Sequence, residues 1–398
     1  MKRQSLQTLP TEFVIPTQEN IRLDLMARCR EAVRTAIQLA LDEALEELVG
    51  AAPHERSEAR SDVRNGSYPR RVTTGLGEVE VEVGRTRNSG SATSPIGRYR
   101  RRTEEVDDAI TEAYVRGVST RDMAGVTEAL LGQSVGRSTV SRVTKRLEDR
   151  VDALRNAAID QEFPYVYLDA TFLDARWARS VENVSALVAY GVGLDGRRHL
   201  LGVLIGPQES EDTWSELLRQ LVDRGLTGVR LIIADDHAGL RNAVRKVLPE
   251  VKLQRCTVHL MRNVLAKVPM RHHKRLAREL GAVLHADDLA SAKAALKRFH
   301  QRLANQFPEA VTCLENGFAA GTQYFAFPKS HWVRIRSTNG LERLHGEIKR
   351  RTRAVGAFPD RDSALRLVTA VALQVTSVWS DRRYLDMSEL DRTNRHAA

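Results

Sequence analysis

The sequence predicts an α/β protein: a mixed sheet flanked by helices, interrupted late by a helical insertion, and preceded by a region of helices and one β-hairpin. Three observations carry this. From residue 163, short apolar runs of strand length alternate with amphipathic helical stretches, the order that builds a mixed sheet. From 258 to about 330 the strand signals give way to a basic helical pattern. Before 155 the spacing is helical, except for one strictly alternating arm, Val79 to Val83.

The 398 residues suffice for two or three domains. Residues 1–103 are expected to form an N-terminal DNA-binding or assembly region. Ile21, Leu25, Ala32, Ala36, Leu39, Ala40 and Leu48 recur at three- and four-residue steps, so 18–50 reads as a helix. A polar, Arg-rich stretch follows at 53–71, then a hairpin at 71–83, then a linker at 88–98 rich in Ser, Gly and Pro. Segment 104–155 is expected to be a helix-turn-helix. Glu105 to Arg116 is amphipathic, Gly117 to Thr120 breaks it, a helix runs to Leu131, and Gly132 to Gly136 turns the chain. A basic second helix then opens with Ser138 as its N-cap. Ser138, Thr139, Ser141, Arg142 and Lys145 are the residues it would offer to a DNA major groove. The plainer alternative is a helical hairpin that joins two domains.

The first part of the core is expected over 160–257. Strand runs at 165–173, 184–194 and 198–205 precede a helix at 211–224, a strand at 229–234, a helix at 237–248 and a short strand at 251–257. Three meandering strands, then helix, strand, helix, strand, is the order of a ribonuclease-H-like core. Residues 258–334 would be a basic helical insertion, and 335–398 would return closing helices to the sheet.

In such mixed sheets, sites form at the carboxyl ends of strands. Asp169 ends the apolar run 165–169, Asp235 ends 229–235, and Glu342 sits just inside the helix opened by Thr-Asn-Gly-Leu-Glu-Arg at 338–343. Two strand-end aspartates and a helix-borne glutamate can converge on a pair of divalent ions. Such a pair activates water or a 3′-hydroxyl and stabilises the leaving oxygen in phosphodiester chemistry. Each residue has a plainer role open to it. Asp169 could cap a strand end, with Asp174 as a competitor on the opposite face. Asp235 or Asp236 could cap the helix near His237. Glu342 could complete a capping box with Asn339 as N-cap.

The net charge of +10 points to a polyanionic partner. Residues 252–278 hold eight Lys/Arg and no acid, and 329–361 hold nine against three acids. A solvated helix face is the plain reading of either run. Flanking an acidic site, they give it the positive walls that cutting a polyanion requires. Arg262, Lys267, Arg271 and Lys274 in the insertion are therefore expected on DNA phosphate. His345 and Lys349, three and seven residues after Glu342, would touch phosphate or lie exposed. Trp332 would stack on a base or pack in the core. Cys256 and His259 have the spacing of half a zinc site; a structural role orienting the site is preferred.

Three widely spaced cysteines argue for a reducing compartment. Residues 1–14 lack an apolar core of signal length, and no run of eighteen apolar residues predicts a membrane span. The expected location is cytoplasmic and nucleoid-associated.

Four segments carry a resemblance: Leu-Asp-Ala at 168–170, Ala-Asp-Asp-His-Ala-Gly-Leu at 234–240, Gln-Arg-Cys-Thr-Val-His-Leu-Met-Arg-Asn-Val at 254–264, and the sixteen residues 338–353. There and over most of its length the chain resembles bacterial insertion-sequence transposases of the Mutator-like type, within the DDE superfamily. The resemblance implies Asp169, Asp235 and Glu342 as catalytic metal ligands for two Mg²⁺, with Mn²⁺ as a substitute. It implies DNA partners, namely the element's terminal inverted repeats and target DNA, and a homodimer or larger assembly. It treats Cys256 and His259 as a signature. Asp236 stands where the family often has a small residue; the family's aspartate lies two before the histidine, which selects Asp235. The rivals are a non-catalytic DNA-binding regulator and a nuclease of the same fold without strand transfer.

Overall fold

An apolar stripe of Ile37, Leu41, Leu45 and Val49 buries one side of the first helix, α1 (Gln18–Val49). The structure, a computed structural model, describes residues 18–92, 96–97, 100–177, 180–379 and 381–390. Residues 1–14 and part of the expected linker at 88–98 lie outside the described residues. The chain divides into two compact units, Met1–Tyr114 with Thr120–Thr144, and Val115–Ser119 with Lys145–Ala398.

In the first unit, β1 (Arg64–Thr74) and β2 (Gly77–Thr86) pair antiparallel, with Val72 opposite Val79. Gly77 takes φ +112°, which an L side chain rarely adopts. Val72, Val79, Val81 and Val83 bury against Leu41. β1 starts seven residues before the expected hairpin, inside the stretch that reads as irregular. Apart from Tyr68, which packs on the hairpin's core, Arg64 to Arg71 carries no apolar alternation; pairing with β2 makes it a strand. Asp62 is buried and accepts from the backbone N–H groups of Val63 and Ser89 at 2.6 and 2.7 Å.

Three helices follow: α2 (Glu104–Val115), α3 (Met123–Leu131) and α4 (Arg137–Val143). Gly132, at φ 69°, closes α3 in the left-handed conformation. The expected basic helix differs at its start, and the structure gives it its end. Its N-cap is Gly136 rather than Ser138, because the chain is already helical at Arg137. It also ends at Val143, where a 3₁₀ turn, Thr144–Arg146, leads to α5 (Leu147–Asn156). Ser138, Ser141, Arg142 and Lys145 are exposed, and Thr139 is half-buried. A cleft of about 830 Å³ in this unit is lined by Arg70, Arg71, Arg101, Arg102, Gln133 and Thr139 among others.

The second unit is built on β3 (Tyr165–Trp177), β4 (Ser180–Val192), β5 (Arg198–Gly206), α6 (Glu211–Asp223), β6 (Leu231–Ala234), α7 (Ala238–Val247) and β7 (Lys252–Arg255). This is the element order the sequence predicts, with β3 and β4 each extended to 13 residues by their shared hairpin. The five-stranded sheet runs β5-β4-β3-β6-β7. β4 lies between β3 and β5 and is antiparallel to both; β3, β6 and β7 are parallel. One face of the sheet, with Val166, Leu168, Leu187 and Ile232, packs on Trp214 and Leu217 of α6 and Leu240 of α7.

The chain then leaves the sheet for α8 (Thr257–Leu265), α9 (His273–Leu284), α10 (Leu289–Leu303) and α11 (Pro308–Gly321). These helices bury Leu260, Leu276, Leu280, Phe299 and Leu314 in a core of their own. After α12 (Trp332–Ile335), the closing helices α13 (Asn339–Thr352) and α14 (Arg361–Thr376) return and pack on β3. Gly340 permits this approach: a Cβ there would lie 2.6 Å from the Tyr190 hydroxyl. Among the described residues, no helix is long and apolar enough to cross a membrane.

Candidate active site

Alternation along β3 puts Asp169 on the face of Tyr165 and Tyr167, the face against which α13 packs. Asp235 is the first residue past β6. Tyr165 pairs with Leu231 and Tyr167 with Ile233 in parallel register, so Asp169 and Asp235 emerge side by side from neighbouring strands. Glu342 comes from the first turn of α13. All three line one cleft of about 460 Å³, with Glu209, Asp236, His237, His259, His345 and Lys349.

Imidazoles stand between the carboxylates. His345 Nδ1 lies 3.3 Å from Asp169 Oδ2. His259 Nδ1 lies 3.8 Å from Asp235 Oδ2, and its Nε2 lies 3.5 Å from Glu342 Oε1. The His259 pKa is pushed up to about 9, first by its hydrogen bond with the Cys256 thiol and further by the charges of Asp235 and Asp169, against the opposing effect of burial. These neighbours favour its imidazolium form. Burial alone would raise the Cys256 thiol, but hydrogen bonds with His259 and Thr338 outweigh it and bring it below its ordinary value. Thr338 donates its N–H and its hydroxyl to Cys256 Sγ, each at 3.4 Å. Cys256 thus ties the end of β7 to the start of α13, under the cleft. Among the described residues, no group of three or more His, Cys, Asp or Glu side chains has a metal-holding arrangement.

Several of the plainer roles are overturned. Asn339 is not the N-cap of α13: Thr338 occupies that position, its carbonyl taking the N–H groups of Leu341 and Glu342, and no capping box forms. Glu342 instead faces His259 and Arg262, the latter at 3.7 Å. Neither Asp235 nor Asp236 caps α7, since His237 holds the cap position. Asp236 is paired with Arg241 and, at 2.8 Å, with Arg255. Asp174 is exposed, outside the cleft, and accepts from Asn183. His345 is not a surface residue: it is 7% exposed and packs onto Asp169. Trp332 packs, donating to the Phe327 carbonyl at 2.7 Å with its ring edge-on to Tyr324 and Phe325.

The expected phosphate contacts separate. Lys349 lines the cleft and Arg262 reaches it through Glu342. Lys267 pairs with Glu309 at 3.5 Å, Arg271 donates to His272, and Lys274 is exposed on α9. Two cleft residues escape the sequence expectations, Glu209 and His237. Glu209 Oε1 accepts from Trp214 Nε1 at 3.2 Å and lies 3.4 Å from His237 Nδ1. Its carboxyl is held above the ordinary value by burial, with the charges of Asp169 and Asp235 adding to the rise. Glu209, Glu211 and Asp212 crowd the same strand-to-helix junction, so no spacing singles out Glu209.

Residues 11–382 match the family model described as the transposase Mutator family. The chain is 36% identical over 362 residues to the transposase for insertion sequence element ISRM5 of Rhizobium meliloti, covering 91% of each chain. It is 37% identical to the transposase for IS406 of Burkholderia multivorans, covering 88% of this chain and 90% of that one. The transposase for IS256 in transposon Tn4001 of Staphylococcus aureus is 34% identical, covering 86% of this chain and 89% of its own. With its matched region spanning nearly the whole sequence, the chain belongs to the Mutator family of transposases.

Proposed function

We propose that the chain is a DNA transposase that binds the terminal inverted repeats of its insertion sequence, cleaves at the element ends and joins the 3′-hydroxyl ends to target DNA. One observation carries the reading: Asp169, Asp235 and Glu342, from two strand ends and a distant helix, line a single cleft. Three hard carboxylate donors suit Mg²⁺ or Mn²⁺. Their charge already draws cationic groups to them, with His259 between Asp235 and Glu342 and Arg262 beside Glu342. When bound, two such ions would supply Lewis acidity to the attacking water or 3′-hydroxyl and to the leaving 3′-oxygen.

The chain's own residues do the remainder. Asp169, Asp235 and Glu342 line the cleft and are the residues that would hold such ions, in the manner of a ribonuclease-H-like core. The Cys256–His259 pair keeps the first turn of α13 in line with β7, so that Glu342 faces the strand ends. Lys349 and Arg262 hold the phosphates beside the cut. In the first unit, the exposed polar side chains of α4 and the arginine-lined cleft support end recognition, with Ser138, Thr139, Ser141 and Arg142 toward the bases. Coordinated cutting of two ends calls for a homodimer or larger assembly on DNA.

The test is incubation of the purified protein with labelled element ends. Cleavage and joining are expected with Mg²⁺ and absent with a chelator, whereas end binding persists in both. Metal-independent cutting, or binding without any cutting in Mg²⁺ or Mn²⁺, would overturn the reading.

A further inference from the structure

We propose that Phe172 is a stacking platform for a nucleobase beside the cut, so that the cleft takes DNA with one base drawn out of the duplex stack. The inference rests on the proposed function and deepens it by naming the form of DNA the cleft accepts.

The strand pairings leave Phe172 at the mouth of the cleft. β3 and β6 pair only over Tyr165–Tyr167 and Leu231–Ile233, whereas β3 and β4 stay paired as far as Trp177 and Ser180. β5 ends at Gly206, which pairs with Ser185, and Ser185 pairs with Phe172. Phe172 therefore stands in the last rung that three strands share, about 10 Å along β3 from Asp169. On its face of the sheet the nearest neighbours are Ala170 and Asp174 along β3 and Ser185 across on β4. Gly206, next in the rung, brings no side chain. None of these offers a ring or a branched apolar chain to cover Phe172.

The ring is accordingly 47% exposed, and the core beneath Val166 and Leu168 does not include it. Among the residues whose side chains are described, every other Phe, Tyr and Trp is buried or half-buried. An exposed ring forgoes the burial that is the main stabilising use of an aromatic side chain. Its surroundings say what would cover it. Phe172 lines one cleft with Asp169, Asp235, Glu342 and Lys349. DNA with a phosphate at the carboxylates, and its charge met by the Lys349 ammonium, passes its bases over the ring. Every base has a π-face that stacks on an aromatic side chain, whatever the sequence. Inside a duplex both faces are already stacked on neighbouring bases. Phe172 can therefore receive only a base that has left the stack, which costs least where that base is unpaired. A protein segment seated on Phe172 would instead lie over the carboxylates and close the cleft to its substrate.

The experiment measures cleavage of labelled element ends by the full chain in Mg²⁺, with Phe172→Ala, Phe172→Leu and Phe172→Tyr beside the parent. Each is run on the intact end and on ends that lack one base at successive nucleotides around the cut. Phe172→Ala should cut the intact end about 5- to 150-fold more slowly, the loss expected of one base–aromatic stack. Phe172→Leu keeps bulk without a ring face and should be nearly as slow. Phe172→Tyr, which restores a ring, should recover most of the rate. All three should melt close to the parent, because the ring lies outside the core. On an end lacking one particular base, the gap between the parent and Phe172→Ala should vanish. If Phe172→Ala and Phe172→Leu cut the intact end like the parent, this inference fails and the proposed function stands. If both are slow but no missing base closes the gap, the ring is covered by protein rather than a base, and the inference fails again. A parent that cuts no end in Mg²⁺ or Mn²⁺ overturns both readings. Should Phe172→Ala be unfolded, Phe172→Leu carries the same comparison.

Discussion

Asp235 and Asp236 are adjacent, yet their surroundings divide the work. Asp235 Oδ1 takes its neighbour's N–H at 2.7 Å and Oδ2 faces His259, whereas Asp236 is locked between Arg241 and Arg255. Asp235→Ala should abolish cleavage and leave the melting temperature nearly unchanged. Asp236→Ala strands Arg255, whose side chain is 9% exposed, and should cost about 1–3 kcal/mol of stability. Thermal unfolding and a cleavage assay, run together, separate the two effects; an active Asp235→Ala protein would show that Asp235 is not the catalytic aspartate. In the first unit, Asp62 has its carboxyl held well below the ordinary aspartate range, chiefly by Ser89, with Val63 and Thr86 also stabilising the charged form. A depressed folded-state pKa gives stability that is present above the ordinary value, about 3.9, and lost as pH falls toward the folded one. Asp62→Asn should therefore be less stable than the parent at pH 7. The difference should shrink steadily below pH 4 in denaturation series; a gap that persists at low pH would assign it to shape rather than charge.

At the scale of elements, the first turn of α13 decides whether Glu342 reaches the strand ends. Gly340 sits where a Cβ would meet the hydroxyl of Tyr190, which is fully buried and stacked on Tyr167 at 4.4 Å. Gly340→Ala should destabilise by about 1–3 kcal/mol despite the better helix propensity of Ala. It should also slow cleavage, and Tyr190→Phe in the same chain should restore much of both losses. A neutral Gly340→Ala would mean that the helix lies loosely enough on β4 to make room for a methyl group. Much of this architecture was legible. The apolar run before Asp235 is wholly buried from Leu231 to Ala234, and that run alone marks a central strand. The helix that carries Glu342 was legible as well, although His345, in its buried series Leu341, Leu344, His345, Ile348, was expected on phosphate or exposed. The start of α13 was not, because Thr338 and Asn339 are both good caps and only the tie to Cys256 selects Thr338. β1 was hidden for a different reason, since its polar arm owes its shape to a partner strand. Glu209 was hidden among equivalent acids.

For the whole molecule, the basic insertion is not one uniform surface. Arg262 belongs to the cleft through Glu342, while Lys267, Arg271 and Lys274 lie away from it. Neutralising those three should weaken DNA binding and lower its salt slope by roughly one unit for each phosphate left without its cation, with selectivity for the element end intact. Arg262→Ala should reduce cleavage more than binding. Loss of end selectivity in the triple variant, with an unchanged slope, would mean that the insertion reads bases. The late position of α13 has a bearing on protein synthesis. Both aspartates and the self-contained core of α8 to α11 are synthesised before Glu342 and His345. A nascent or prematurely terminated chain therefore lacks the α13 side of the cleft, which is complete only once that helix has been translated and docked on the sheet.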